Sequence, residues 1–216
     1  MIKYWTKLML ILAVAILLNG CNSEGNTEEK EAEKSENATE ETNIDLDDQM
    51  EPQATAELKD VDDNTVGMVN FYEYDDYLLI DANADGLEPG HHGFHIHEKG
   101  VCEPDAEDGP FTTAGGHYNP EEKKHPDHAG DMPTLYVNED GKANYSVTFD
   151  RLSIEQLKEE ELAIIVHAKP DNFSNIPDRY QAEGEPGPDE ETVKAGDAGD
   201  RQACGVINTV EEETKK

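Results

Sequence analysis

Two histidines flank a single isoleucine in Gly93-Phe94-His95-Ile96-His97, and this alternation constrains the fold more than any other stretch of the chain. In an extended strand, side chains two positions apart share a face. His95 and His97 then stand side by side, and Ile96 points the other way into an apolar core. A stiff sheet that displays two imidazoles in this manner can hold one metal ion. The H-x-H pattern is common by itself, so its meaning rests on what the other histidines do.

The length of 216 residues suits one domain with accessory segments. Residues 1–20 open with Lys3 and Lys7 and continue into an apolar run from Leu8 to Leu18. That run is short for a bilayer-spanning helix and fits the core of a signal peptide. It ends in Leu17-Leu18-Asn19-Gly20-Cys21, which resembles a bacterial lipobox, whose cysteine is lipidated after cleavage. The expectation is a signal peptide over 1–20, a lipidated Cys21, and a protein anchored to the membrane on its extracytoplasmic side. Residues 21–53 read as an acidic disordered linker. Positions 22–52 hold twelve acidic residues and two lysines, with almost no large apolar side chain. Such a stretch cannot bury enough apolar area to offset the entropy of ordering. The formal charge of the whole chain is -33, and the part beyond the linker is itself acidic. Nucleic acid and anionic headgroups are therefore poor partners, since both need positive patches. No feature of the sequence specifies an oligomeric state.

From residue 54 onward, short extended runs alternate with turns. Residues 54–61, 66–74 and 77–83 have strand length and apolar alternation, and Asp62-Asp63-Asn64 and Asp75-Asp76 separate them. The strand carrying His95 and His97 follows. Residues 134–138 and 143–149 predict a hairpin about Asp140-Gly141. A helical turn is expected over 154–161, a buried strand over 162–167 and a last strand over 203–210. About eight short strands with little helix predict an all-β sandwich or barrel. The domain is expected over 54–211, with a charged tail over 212–216. Two stretches, 99–132 and 169–200, are long, rich in Gly, Pro and charge, and without periodicity. Loops of that length are commonly functional.

The remaining histidine chemistry falls in or beside those loops. His117 lies in Gly115-Gly116-His117-Tyr118-Asn119-Pro120. His125, His128 and Asp131 lie in His125-Pro126-Asp127-His128-Ala129-Gly130-Asp131. His167 closes the apolar run Ile164-Ile165-Val166-His167, and Arg201-Gln202-Ala203-Cys204-Gly205-Val206-Ile207 opens the last strand. With the H-x-H strand, these pieces occur in one order over residues 54–210, and the chain resembles the copper/zinc superoxide dismutase family. The resemblance implies an eight-stranded Greek-key β-sandwich or barrel, immunoglobulin-like, with two long functional loops. It implies copper at His95, His97, His117 and His167, and zinc at His117, His125, His128 and Asp131. The donor types agree with that division: imidazoles suit copper(II), and three imidazoles with a carboxylate suit a closed zinc site. Six of the eight histidines sit at motif positions.

The same resemblance makes His117 and Arg201 catalytic, pairs Cys102 with Cys204, and makes Asp171 a carboxylate that orients ligands of both metals. His92 is expected to support the site or the core rather than to ligate, and His91 to be exposed. Only two residues separate His125 from His128, fewer than in many family members, and Pro126 and Asp127 suit a tight turn there. The acidic residues between 178 and 200 predict repulsion of an anion from the site. The expected function is dismutation of the superoxide anion to oxygen and hydrogen peroxide. The alternative is a non-enzymatic copper-binding or copper-buffering lipoprotein on the same fold.

Overall fold

The computed structural model describes residues 50–182 and 184–210. The signal-peptide segment, Cys21, most of the acidic linker and the 212–216 tail lie outside the described residues. The chain forms strands β1 (Ala54–Asp60), β2 (Thr65–Tyr74), β3 (Tyr77–Asp85), β4 (Gly90–His92), β5 (Phe94–His97), β6 (Leu135–Val137) and β7 (Lys142–Phe149). Then come helix α1 (Ile154–Glu159), β8 (Ala163–His167), the small strands β9 (Gln181–Ala182) and β10 (Glu185–Pro186), helix α2 (Glu190–Ala195), β11 (Arg201–Val206) and β12 (Asn208–Thr209).

The main sheet is antiparallel throughout, in the order β5-β8-β11-β1-β2-β3-β7, with β12 beside β1. β4 leaves that path and pairs with β6. If β4–β5 and β11–β12 each count as one interrupted run, eight principal strands remain among the described residues, as expected. The late strands β8 and β11 return to lie between β5 and β1, which is Greek-key connectivity. Alternation explains the inner face. β1 buries Ala54, Ala56 and Leu58, and β3 buries Leu78, Ile80, Ala82 and Ala84. Gly67 on β2 leaves room for β3, since a Cβ there would sit 2.5 Å from the Asn83 carbonyl oxygen.

β8 is buried at every position because both of its faces are covered. Ile164 and Val166 enter the main core with Phe94 and Ile96 of β5. Ala163 and Ile165 face a second, smaller core with Phe111, Ala114 and Cys204, against which Cys102 packs. The Cys102–Cys204 disulfide links the first long loop to β11 across 102 residues of sequence. A continuous apolar run is the signature of a strand covered on both sides.

Two local expectations need correction. The turn at Asp140-Gly141 forms, with the Asn138 N–H donating to the Lys142 carbonyl at 2.8 Å. Its flanking strands, however, do not make a hairpin ladder: β6 pairs with β4 and β7 with β3. The turn fixes only the reversal of the chain, and the ladder hydrogen bonds of each strand go to a partner distant in sequence. The second long loop is also not structureless. It contains the β9–β10 pair and α2, whose N-cap Asp189 side chain accepts from the Thr192 N–H and whose C-cap Gly196 has φ 60°. The expected turn at 154–161 is α1, closed by a reciprocal capping box between Ser153 and Gln156.

Candidate metal centre

The site lies on the outer face of β5 and β8, under the two long loops. Strand parity places three of its rings. His95 and His97 share the face of β5 opposite Phe94 and Ile96. His167 shares the corresponding face of β8, because His95 is in register with Ile165. His117 reaches the same point from the first loop, where single bridges join His97 with His117 and His95 with Asp131. Two backbone bonds lock this loop to β5, Ile96 N–H to the Gly130 carbonyl (2.9 Å) and Tyr118 N–H to the Ile96 carbonyl (2.8 Å), and a third, Gly130 N–H to the Tyr118 carbonyl (2.9 Å), closes the loop on itself. Residue 130 must be glycine for this approach, since a Cβ would stand 2.2 Å from the Ile96 carbonyl oxygen.

Each outer ring nitrogen is occupied, which turns the other nitrogen inward. His97 Nδ1–H donates to the Gly115 carbonyl at 3.0 Å, and His167 Nδ1–H to the Gly199 carbonyl at 3.1 Å. His95 Nε2–H donates to Asp171 Oδ2 at 2.8 Å. The facing atoms of His95, His97, His117 and His167 all lie within 4.8 Å of one another. His97 Nε2 and His167 Nε2 are 3.4 Å apart.

A second cluster adjoins the first through the His117 ring. His117 Nδ1 lies 2.6 Å from Asp131 Oδ1, and Asp131 Oδ2 lies 3.0 Å from His125 Nδ1 and 3.2 Å from His128 Nδ1. The short His125–His128 connection does form a turn, with the Asp127 N–H donating to the Lys124 carbonyl at 2.8 Å across a cis His125–Pro126 bond. His125 Nε2–H donates to Asp171 Oδ1 at 2.8 Å. Asp171 therefore joins His95 of the first cluster to His125 of the second. Two buried ring nitrogens, His95 Nδ1 and His117 Nε2, have no hydrogen-bond partner, and His125 Nδ1 and His128 Nδ1 meet only the one shared oxygen of Asp131. Unpaired buried nitrogens are costly. Their convergence fits metal ions, and the donor sets suit copper in the first cluster and zinc in the second.

Burial, reinforced by neighbouring rings, holds His97 and His167 well below the ordinary imidazole value. Burial also brings His117 down to about 4, outweighing the attraction of Asp131. His125 moves the other way: burial opposes its charge, but Asp131 and Asp171 together raise it to about 9. Both carboxylates are depressed, because hydrogen bonds from the histidines outweigh the effect of their own burial.

Arg201 opens β11 in register with His167. Its guanidinium donates to the Phe111 carbonyl and, at 2.6 Å, to the Gly115 carbonyl. It lines a cavity shared with His97, His117, His128 and His167. The acidic 178–200 stretch does not make this mouth uniformly negative. Lys123, Lys124 and Lys194 line it together with Glu191. Lys123 pairs with Glu121 (2.9 Å) and Lys194 with Glu190 (3.0 Å), and Lys124 has no ion pair among the described residues. His92 is buried and does not join either cluster. Its Nε2 lies 2.7 Å from the Glu88 carbonyl, and its Nδ1 meets Gln202 and the His167 carbonyl. Through the His167 carbonyl it touches the backbone of a candidate ligand. His91 is exposed and stacks obliquely on Tyr136.

Sequence reasoning missed two contributors. The Gly115 and Gly199 carbonyls orient His97 and His167, and nothing in a sequence marks a carbonyl. Gly196 caps α2 so close to the site that a Cβ there would lie 1.9 Å from Asp171 Oδ1 and 2.6 Å from His125 Nε2. The Asp189…Gly196 cap pair was its available signal.

Fold and site together define a Greek-key β-barrel carrying two adjoining candidate metal sites that share one imidazole. The copper/zinc superoxide dismutase (SODC) profile matches residues 65–207. A superoxide dismutase (Cu-Zn) of Mycolicibacterium paratuberculosis is 42% identical over 168 residues, covering 72% of this chain and 74% of its own length. That of Escherichia coli (strain K12) is 39% identical over 153 residues, covering 66% of this chain and 79% of its own. A crystal structure of a SOD-like protein from Bacillus subtilis, as a double mutant, superposes with a TM-score of 0.55 at 31% identity, covering 70% of this chain and 95% of that one. The chain belongs to the copper/zinc superoxide dismutase family.

The pKa directions set how the metal-free protein responds to pH. His97, His117 and His167 have folded values below the ordinary 6.5, so the unfolded chain binds more protons and stability falls as pH drops from 6.5 toward about 4. The contribution of His125 is complete below 6.5 and is lost as pH rises through about 9. Asp131 and Asp171 lose theirs only at lower, acidic pH. Urea unfolding of the metal-free chain should therefore give its highest midpoint near pH 6.5, declining on both sides. A midpoint that climbs steadily to pH 9 would contradict these assignments.

Proposed function

We propose that the protein catalyses dismutation of superoxide to oxygen and hydrogen peroxide, with copper held by His95, His97, His117 and His167 and zinc by His117, His125, His128 and Asp131. The observation that carries this reading is the His117 ring, whose Nε2 faces one cluster while its Nδ1 meets Asp131 of the other. Copper held by these residues would supply one-electron exchange with superoxide. The protein's own groups do the rest. Arg201, pinned by two carbonyls beside the cavity, attracts the anion and offers it hydrogen bonds. His117 Nε2 is placed to hold a proton, and Asp131 keeps the ring from turning through Nδ1. Asp171 holds His95 and His125 in fixed orientations.

The test is a dismutase assay on the metal-free full chain before and after reloading with copper and zinc, beside His117→Ala. Activity should return on reloading, and His117→Ala should lose about a hundredfold or more. Stoichiometric copper uptake without turnover would replace this reading with copper buffering.

Charge predicts a salt dependence with two limbs. The screening length is about 30 Å at 0.01 M and about 8 Å at 0.15 M. In dilute salt the whole chain's charge of -33 repels the substrate. At higher salt only nearby charges act, and Lys124 and Arg201 face the cavity. kcat/KM should rise from about 0.01 M to about 0.1 M salt and fall beyond it. A monotonic fall would exclude long-range repulsion.

The proposed location is outside the cytoplasmic membrane, tethered by lipid on Cys21. The lipobox-like ending of the apolar amino-terminal run supports this, and so does the Cys102–Cys204 disulfide, since such bonds persist in oxidising compartments. The full-length chain expressed in a bacterium should incorporate labelled palmitate and partition with membranes, and Cys21→Ala should do neither. Equal partitioning of both proteins would remove the lipid anchor.

A further inference from the structure

The turn between His125 and His128 is gripped from outside by an arginine. Arg151 lies two residues past the end of β7, between Phe149 and Leu152, which are both buried in the main core. Two residues on, Ser153 caps α1. The backbone at Arg151 is thus fixed on both sides by the barrel and not by the metal loop. Its Nη1 donates to the Pro126 carbonyl and, at 3.2 Å, to the His128 carbonyl. Its Nη2 stands 3.8 Å from Asp127 Oδ1, and the Asp127 side chain there is exposed.

The two carbonyls belong to the residue after one candidate ligand and to the other candidate ligand itself. Both converge on a single Nη1 atom. Two carbonyl oxygens aimed at one point repel unless a donor lies between them, and a cationic N–H is a strong donor. The grip therefore sets the span of the turn before any ion arrives. His125 Nδ1 and His128 Nδ1 then approach the same carboxylate oxygen, Asp131 Oδ2, at 3.0 and 3.2 Å.

We propose that Arg151 is a positioning residue for the zinc site: it clamps the Pro126 and His128 carbonyls and so presets His125 and His128 for the metal. This rests on the zinc assignment made above. Arg151 touches neither the substrate cavity rings nor the copper cluster, so its effect belongs to one metal. Partners that orient ligands from outside typically change metal affinity by about 10–100-fold when removed.

Zinc and copper are titrated separately into the metal-free full chain against a competing chelator, for wild type, Arg151→Ala, Arg151→Lys and Asp127→Ala. Cobalt(II) substituted for zinc reports ligand geometry through its visible absorption. Arg151→Ala should weaken zinc about tenfold and alter the cobalt spectrum. Arg151→Lys, a compact ammonium in place of the planar fork, should recover part of that loss. Asp127→Ala should leave zinc affinity within about twofold, because an exposed ion pair contributes little. Copper affinity should stay unchanged in all three. Unchanged zinc affinity in Arg151→Ala, or equal weakening of both metals, overturns the clamp. If Arg151→Ala does not fold, equal zinc affinities for wild type and Arg151→Lys overturn it. A wild-type chain that takes up no zinc removes the zinc assignment and the clamp with it, and is distinguished by failing before any variant is compared.

Discussion

One carboxylate holds the two halves of the centre in register. Asp171 is fully buried, and each of its oxygens accepts from a different cluster, Oδ2 from His95 and Oδ1 from His125, both at 2.8 Å. A buried charge is tolerable only when its lone pairs are satisfied, and here the Phe173 N–H adds a third donor at 2.7 Å. The rest of the second loop exists around that residue. α2 ends on Gly196, the Asn172 N–H bonds the Gly196 carbonyl at 2.8 Å, and the His125 N–H bonds the Val193 carbonyl at 3.2 Å. The acidic loop is thus a lid tied down by main-chain bonds, and its charge is spent mostly on caps and solvent.

The strand-borne rings were legible because period-two alternation is a local property. His95 and His97 declare their shared face within five residues, and the run ending in His167 declares a strand covered on both sides. The loop-borne members were legible only by resemblance, since nothing local says that His117 faces β5 or that Asp171 reaches across to His125. Where local signals stood alone they also misled. Asp140-Gly141 is a good turn, but β6 and β7 find partners in different ladders. α2 has no such local signal, because its six residues give no apolar stripe. Charge was the poorest guide. A sum of acids carries no direction, and the cavity wall also presents Lys123, Lys124 and Lys194.

The disulfide and the arginine at the cavity form one mechanical unit. Cys102 and Phe111 pack in the outer small core with Cys204, and Arg201 lies three residues before that cysteine. The loop carbonyls of Phe111 and Gly115 that grip Arg201 are therefore referenced to the same strand that carries it. Gly115 serves twice, since its carbonyl accepts from both Arg201 and His97. A shift of this loop would move the cation and a candidate copper ligand together.

The acceptors behind His97 and His167 are peptide oxygens, of Gly115 and Gly199. Every residue type carries that same oxygen. Lineages can therefore exchange most side chains along these loops while both imidazoles keep their tilt, provided the path of the chain is preserved. Such a design lets the surroundings drift over generations and confines inherited damage at these two rings to insertions, deletions and the few positions where a glycine is obligatory.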